Sequence, residues 1–365
     1  MVLLLIVISF SYGVISTKFM LPPYNLLTFI WKIAKGEVEI KNDVGFIFSY
    51  HVNEVNIDDI VSNLQDNRFV RPKLLKKVIL EPQQVKVLSK KKTIDTEIIT
   101  ANFYGITVNA NLNKSNINKN TPCLIIYNQG HGGNPFKFQY YNELKDQVLE
   151  KGCDIISFSM LGLGLNSGKA SFPSNIMGMS TLELGANEAA NHDHYGFYKD
   201  SSYPNKDPLS LFLSGHYYII NTIINNYKNV SMVGISGGGW YTTWLSALIE
   251  QIDVSISYAG TFPLAYQIGR SGVGDYEQTQ SQLYSYYDYW NLYHLATIGN
   301  NSVRSVYLVY NSKDPCCFAD PYASEFKKTI DKMRLPNINV IIDDSDTHTI
   351  NNDIVLKILS DSGMI

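Results

Sequence analysis

Charged side chains are scarce in this 365-residue sequence, where Asp, Glu, Lys and Arg together make up only 17%. An average globular protein carries about 25%. The formal net charge is −3, so the whole chain lacks the basic excess that is usual for a nucleic-acid-binding domain. A disordered chain is excluded as well, because the sequence contains 25 Tyr and 16 Phe and is 45% hydrophobic.

Cysteine is also rare, with four residues in the whole chain. So few cysteines in a chain of this length do not form a disulfide framework, and they leave the redox compartment open. Cys123 and Cys153 lie in or beside apolar, strand-like runs, so we expect them to be small buried hydrophobic side chains. Cys316 and Cys317 are adjacent, and no second pair stands at the spacing of a zinc site.

The N-terminus has no charged side chain before Lys18. Its apolar run is at the short end for a helix that spans a membrane, which needs about 20 residues. No Lys or Arg precedes the run, as one would in a typical signal peptide. We therefore keep three interpretations of residues 1–20: a membrane or signal anchor, a cleaved signal, and a helix packed on the domain. The first two favour the membrane or the secretory pathway over the cytoplasm.

A basic stretch over residues 71–92 departs from the low charge of the chain. It contains eight Lys or Arg against one Glu. This pattern is typical of a solvated face, and the alternative is contact with anionic lipid headgroups. A membrane contact would involve this stretch together with residues 1–31.

From residue 83 the pattern predicts three strands, followed by strands that alternate with helices. Such alternation indicates an α/β fold whose central sheet is mostly parallel and is flanked by helices, with an antiparallel edge. We expect an N-terminal extension over residues 21–82 and a catalytic domain over 83–365. Two insertions interrupt that domain, an irregular one at about 161–207 and a Tyr-rich cap at 261–300.

Residues 234–238 read GISGG and fit the pattern G-x-S-x-G, with an apolar strand before them and a helix after them. In this context the central Ser236 sits on a strained turn that presents its Oγ above the edge of the sheet. The backbone N–H of the next residue, Gly237, can stabilise a developing oxyanion. The alternative is a glycine-rich turn with an incidental serine.

A serine nucleophile needs a base, and the base needs an acid that orients it. In this topology the chain order is Ser, then Asp or Glu, then His. Asp314 and His348 follow in that order, each in a loop just after a predicted strand. Three other aspartates, Asp343, Asp344 and Asp346, are so near His348 that we expect them to shape its loop instead.

A glycine loop follows the first long parallel strand and reads His131-Gly-Gly. It predicts a second oxyanion donor from the backbone of Gly132 or Gly133. His131 is expected to orient the loop and to border the substrate pocket. The alternative is a plain glycine turn between strand and helix.

With these motifs, residues 83–365 resemble the α/β-hydrolase superfamily in its serine-esterase branch. The resemblance implies a mostly parallel central sheet, an acyl-enzyme mechanism and no cofactor or metal. The serine at the turn differs from the Asp or Cys nucleophiles of other branches. The chain also departs from the lipase pattern, because two glycines follow His131 rather than three.

Two further patterns concern the pocket. Residues 162–168 approximate a dinucleotide-binding loop, but the spacing is wrong and no helix follows, so we reject it. The sequence 191–194 (NHDH) contains His192, which is expected to border the pocket in preference to a metal site. Tyr276 and its Tyr-rich surroundings lie beside the predicted site, as a pocket wall or as a cap with its own core.

The sequence therefore predicts a carboxylic ester hydrolase with the triad Ser236, Asp314 and His348, acting on a small ester or acyl substrate. A peptidase, a thioesterase or an acyltransferase would use the same triad. A binding protein that has kept the fold without the activity is the third possibility.

Overall fold

The computed structural model describes residues 64, 70–117, 122–166, 168–174, 178–184, 207, 209–267, 276–279, 281–284, 287–299 and 304–365. All of them belong to one compact unit. Residues 1–20 lie outside this description, as do most of the predicted extension and the sequence 191–194. In the described part of the chain, no helix combines the length and apolar character that crossing a membrane requires.

Eleven strands are described: β1 (Lys86–Lys91), β2 (Thr96–Phe103), β3 (Ile106–Asn113), β4 (Cys123–Asn128), β5 (Asp154–Phe158), β6 (Gly168–Ser174), β7 (Gly178–Leu184), β8 (Asn229–Ile235), β9 (Val254–Tyr258), β10 (Ser305–Asn311) and β11 (Ile338–Asp343). Ten α-helices are described: α1 (Val70–Val78), α2 (Gln139–Glu150), α3 (Leu209–Ile223), α4 (Gly237–Leu248), α5 (Leu264–Gln267), α6 (Tyr276–Thr279), α7 (Ser281–Tyr284), α8 (Tyr289–Thr297), α9 (Tyr322–Met333) and α10 (Asn352–Asp361).

Nine strands form the central sheet in the order β1-β2-β3-β5-β4-β8-β9-β10-β11. The first three pairs in this order, β1-β2, β2-β3 and β3-β5, are antiparallel. The remaining five pairs, from β5-β4 to β10-β11, are parallel. This is the mostly parallel sheet with an antiparallel edge that the sequence predicts. The region predicted to be irregular contains a separate antiparallel hairpin, β6 and β7.

The central strands are apolar along their whole length because helices cover both faces of the sheet. Every residue of β4 and of β9 is buried. On one face, α2 and α10 contact each other over a shared hydrophobic core. On the other face, α4 contacts α1, α3 and α8. Because helices cover both faces, the carboxyl ends of the parallel strands form the edge of the sheet where a ligand could bind.

Helix α1 falls within the predicted extension, yet it packs against helices α3 and α4. The Arg71 guanidinium is buried, donates hydrogen bonds to the carbonyl oxygens of Ala247 and Ile298 (2.7 Å each), and pairs with Glu250. Arg71 is therefore a structural part of the domain and is not exposed to a partner. The predicted boundary at residue 83 does not coincide with a gap in packing.

The lysines of β1 remain exposed on the edge strand of the sheet. Charged residues on an edge strand hinder pairing with the strand of another molecule. This gives Lys90 and Lys91 a role in the fold that needs no lipid. The membrane contact of residues 71–92 stays a prediction.

Cys123 and Cys153 are buried, as expected, but they are also joined by a disulfide. Their burial is therefore confirmed, whereas the bond between them was not expected from the sequence. The two residues are 30 apart in sequence. They meet because β4 and β5 are paired neighbours in the sheet. Chain spacing alone does not reveal that adjacency.

Three of the described tyrosines of the Tyr-rich insertion are buried against helix α4. Tyr284, Tyr289 and Tyr293 are at most 1% exposed. The Tyr284 hydroxyl accepts hydrogen bonds from the indole nitrogens of Trp240 and Trp244 at 2.9 and 3.1 Å. These tyrosines therefore anchor the insertion on helix α4, with their hydroxyls satisfied inside an aromatic cluster.

Candidate active site

Ser236 stands at the turn between β8 and α4. Its φ of 56° and ψ of −128° lie outside the ordinary helical and extended regions. The Ser236 N–H donates to the Tyr258 carbonyl oxygen at 2.9 Å. A Cβ on Gly234 would lie 2.2 Å from the Gly238 carbonyl oxygen, so the turn can close only with glycine there. The local sequence thus fixes a serine at the end of a central strand, with the N-terminus of α4 behind it.

Asp314 lies in the loop after β10, and its side chain is buried. Its Oδ2 lies 2.7 Å from His348 Nδ1. Its Oδ1 accepts hydrogen bonds from the backbone N–H groups of Cys316 (2.8 Å) and Cys317 (3.3 Å). Both oxygens of the carboxyl are therefore held, one by the imidazole and one by the backbone of its own loop.

The surroundings of Asp314 favour its ionised form. Burial by itself would raise the pKa of the carboxyl. The hydrogen bonds from His348 and from Cys316, together with the attraction of the imidazole, outweigh burial and hold the pKa below its usual value. A carboxylate in this state fixes the imidazole with the proton on Nδ1 and leaves Nε2 as the hydrogen-bond acceptor.

His348 lies in the loop between β11 and α10. The buried Asn311 amide donates from Nδ2 to the carbonyl oxygens of Thr347 (2.8 Å) and Thr349 (3.0 Å). Asn311 therefore holds the backbone of the residues before and after His348. Sequence reasoning missed this residue. The available signal is its position at the end of β10, three residues before Asp314.

The glycine loop after β4 comes close to Ser236. A Cβ on Gly130 would lie 2.7 Å from the Ser236 Cβ. The Gly133 N–H already donates to the Gly130 carbonyl oxygen at 3.1 Å. Of the two predicted oxyanion donors in this loop, Gly132 is thus the one whose N–H is not used to close the turn. Gly132 also lines the pocket, as does its neighbour His131.

One cavity of about 240 Å³ brings these elements together, and its walls are mostly apolar. Ser236, Gly237 and His348 line it from the ends of the strands. The remaining lining residues are Gln129, Gly130, His131, Gly132, Phe138, Tyr140, Ile235, Gln278, Cys316, Cys317 and Phe318. Three aromatic rings and the cysteine pair are therefore part of the wall of the cavity that Ser236 also lines.

The side wall of this cavity is held by a short hydrogen-bonded chain. The Tyr127 hydroxyl donates to Gln129 Oε1 at 2.8 Å, and Gln129 Nε2 donates to the Tyr140 hydroxyl at 3.1 Å. This chain ties the start of the glycine loop to helix α2. The chain fixes the position of the Tyr140 ring relative to the glycine loop.

The predicted pocket residues differ in outcome. His131 lines the cavity. His192 lies outside the described residues. Tyr276 begins the short helix α6, whose described contribution to the cavity is Gln278. The Tyr276 side chain is itself outside the described part, so its place in the wall stays a prediction.

With its mostly parallel sheet, flanking helices and a serine at the strand–helix turn, the chain has the α/β-hydrolase fold. An acetyl xylan esterase from Paenibacillus sp. R4 is similar in structure, with a TM-score of 0.50, 12% identity, and coverage of 85% of this chain and 94% of that one. No model of a known protein family matches the sequence, and no curated protein matches it.

Two other solved structures have lower TM-scores. Est1E from Butyrivibrio proteoclasticus has a TM-score of 0.45 at 14% identity, covering 72% of this chain and 96% of its own. The acylaminoacyl peptidase of Pyrococcus horikoshii has a TM-score of 0.45 at 12% identity, covering 74% and 42%. Esterases and a peptidase thus occur among the structural neighbours. At such identities the likeness concerns the fold and not the reaction.

Proposed function

We propose that this protein is a serine hydrolase that cleaves carboxylic esters of small acyl groups. The observation that carries the proposal is the 2.7 Å contact between Asp314 Oδ2 and His348 Nδ1, beside a cavity that also contains Ser236. An oriented imidazole that shares a cavity with a strained serine is the arrangement from which a hydroxyl can be made nucleophilic.

In the first half of the proposed reaction, Ser236 Oγ attacks the acyl carbon and His348 Nε2 takes its proton. Asp314 stabilises the imidazolium through Nδ1. The N–H groups of Gly237 and Gly132 donate to the oxyanion of the tetrahedral intermediate. The imidazolium then gives its proton to the leaving alcohol, and an acyl-enzyme remains.

In the second half, His348 Nε2 removes a proton from water, and the hydroxide attacks the acyl carbon of the ester on Ser236. The same N–H groups stabilise the second tetrahedral intermediate. Its collapse breaks the bond to Ser236 Oγ, which regains a proton from the imidazolium. The carboxylic acid leaves and the enzyme is restored.

The size of the cavity supports a short acyl group. About 240 Å³ with apolar walls leaves room for a short aliphatic or a single aromatic acyl chain, and a long fatty chain would extend outside it. Phe138 and Phe318 supply flat apolar surface for such a group.

The test compares the parent with Ser236→Ala and with Ser89→Ala, which alters an exposed serine on β1. Each protein is treated with a fluorophosphonate probe and with p-nitrophenyl esters of increasing chain length. We expect Ser236→Ala to lose labelling and at least about 10⁴-fold in kcat, since the triad acts as a unit. Ser89→Ala should match the parent.

Retained labelling in folded Ser236→Ala would contradict the assignment of the nucleophile. A parent that labels but hydrolyses thioesters or peptides faster than esters would favour the corresponding alternative on the same triad. A folded parent that neither labels nor hydrolyses any of these substrates would favour a binding protein.

A further inference from the structure

Two adjacent cysteines and the proposed base meet at one end of the cavity. Cys316 and Cys317 follow Asp314 in the loop after β10 and are joined by a disulfide. Their sulfur atoms and a ring nitrogen of His348 all lie within 4.8 Å of one another. Within the described ranges, no other three His, Cys, Asp or Glu side chains are gathered in this way.

These three groups form a ligand set that borderline-soft cations prefer. Two cysteine sulfurs and one imidazole nitrogen suit Zn²⁺ or Cd²⁺. In a tetrahedral zinc site such ligand atoms are about 3.6–3.8 Å apart, as the usual Zn–S and Zn–N lengths require. A ring nitrogen of His348 lies within 4.8 Å of both sulfur atoms, whereas the sulfurs are bonded to each other and can move apart only after reduction.

The partner of His348 strengthens this interpretation. Histidines that bind metals usually donate their second ring N–H to a carboxylate, which fixes the tautomer and directs the other nitrogen to the ion. Asp314 already holds Nδ1 at 2.7 Å. Nε2 is therefore the nitrogen with a lone pair to offer, and it is the same nitrogen that the proposed reaction needs.

We propose that reduction of the Cys316–Cys317 disulfide creates a site for a thiophilic divalent cation, with Cys316 Sγ, Cys317 Sγ and His348 Nε2 as ligands. Two molecules of a thiol reductant supply two electrons and two protons and become one disulfide, while the protein gains two thiols. Binding of the cation releases both thiol protons and leaves a fourth position for water.

The ion would stop hydrolysis because it occupies the lone pair that accepts the proton of Ser236. The inhibition rests on the proposed function, whereas the binding site does not. The two disulfides of the chain differ in how accessible they are to a reductant. Cys316 is exposed and Cys317 partly exposed, but Cys123 and Cys153 are at most 3% exposed.

The experiment uses the full chain in two states, as purified with its disulfides and after mild treatment with tris(carboxyethyl)phosphine. This phosphine reduces a disulfide with one water and leaves as its oxide. Each sample is freed of metal with a chelator and titrated with Cd²⁺, whose bonds to thiolates give an ultraviolet charge-transfer absorption. Zn²⁺ binding is counted by equilibrium dialysis.

We expect about one ion per reduced chain and none per oxidised chain. Cys316→Ser/Cys317→Ser should lose the absorption, and His348→Ala should weaken binding at least tenfold. In the reduced parent, one equivalent of Zn²⁺ should lower ester hydrolysis at least tenfold, and a chelator should restore it. If the double variant does not fold, the single variant Cys317→Ser replaces it in the Cd²⁺ titration.

Equal Cd²⁺ absorption in the reduced parent and in the folded cysteine variants would overturn the site. So would binding that His348→Ala leaves unchanged, or inhibition that persists in the cysteine variants. If the parent binds the ion through these residues but hydrolyses no ester even when metal-free, the site stands and the proposed function fails.

Discussion

Replacing Asp314 by Asn changes the chemistry of the acid while keeping its shape. The amide oxygen can still accept the hydrogen bond that the Cys316 N–H gives to Oδ1 at 2.8 Å. The amide nitrogen then faces His348 Nδ1, where Oδ2 lay at 2.7 Å. Since an amide N–H donates, Nδ1 must accept, and the ring proton moves to Nε2. In that tautomer the imidazole cannot take the proton of Ser236.

The expected loss follows from this tautomer. In Ser-His-Asp enzymes this change lowers kcat by about 10⁴-fold. That factor corresponds to about 5.5 kcal/mol of transition-state stabilisation, at about 1.4 kcal/mol for each tenfold. Stability should change much less, because the loop keeps its backbone hydrogen bond to the side chain. The predicted outcome for Asp314→Asn is therefore a folded, nearly inactive protein.

The assay measures kcat and KM on a short-chain p-nitrophenyl ester, the rate of fluorophosphonate labelling, and thermal unfolding. Asp344→Asn is the matched control. Asp344 lies near His348 in sequence but is exposed and pairs with Lys313 at 2.7 Å. We expect the control to stay within about twofold of the parent, as surface pairs contribute little. An Asp314→Asn protein that keeps more than a tenth of the parental kcat would refute the assignment of the acid.

Three further predictions concern stability. Gly234→Ala should lower the unfolding temperature and abolish labelling, because the new Cβ would lie 2.2 Å from the Gly238 carbonyl oxygen. Burial lowers the pKa of His216 from 6.5 to about 3. Below pH 6.5 the imidazole therefore binds a proton in the unfolded chain but not in the folded one. The free energy of unfolding falls for this reason as the pH drops from 6.5 toward 3. Urea unfolding at pH 7 and pH 5 should show a loss of about 2 kcal/mol that His216→Phe removes. Cys123→Ala/Cys153→Ala opens a loop of 30 residues and should cost about 3.6 kcal/mol by the chain-entropy relation, measured by the same unfolding.

The central sheet could be predicted from the sequence because its strands are buried on both faces. Apolar runs such as the one in β4 are typical of strands that lie between two layers of helices. Helix α4 begins at Gly237, and the first three of its residues are glycines. Glycine is a poor helix former, and here the packing of the turn overrides that local preference.

The position of Asp314 shows that the order of strands in the sheet identifies the acid of the triad better than its distance from His348 along the chain does. Asp343 and Asp344 are nearer to His348 in sequence than Asp314 is, yet each has another partner. Asp343 accepts a hydrogen bond from the Tyr258 hydroxyl at 2.6 Å, and Asp344 pairs with Lys313. Asp314 reaches the imidazole because β10 and β11 are parallel neighbours, so the loops that follow them meet at one edge.

The cysteine pair lies close to His348 for the same physical reason. Ligand spacing along the chain describes sites built within one loop, and by that criterion Cys316 and Cys317 lack a partner. His348, the third group of the proposed site, belongs to the loop after the neighbouring strand, and the parallel pairing of β10 and β11 brings the two loops together. Any residue just beyond Asp314 is therefore carried to the same edge as the imidazole. Two adjacent cysteines in that position become a wall of the cavity whatever their spacing to other cysteines.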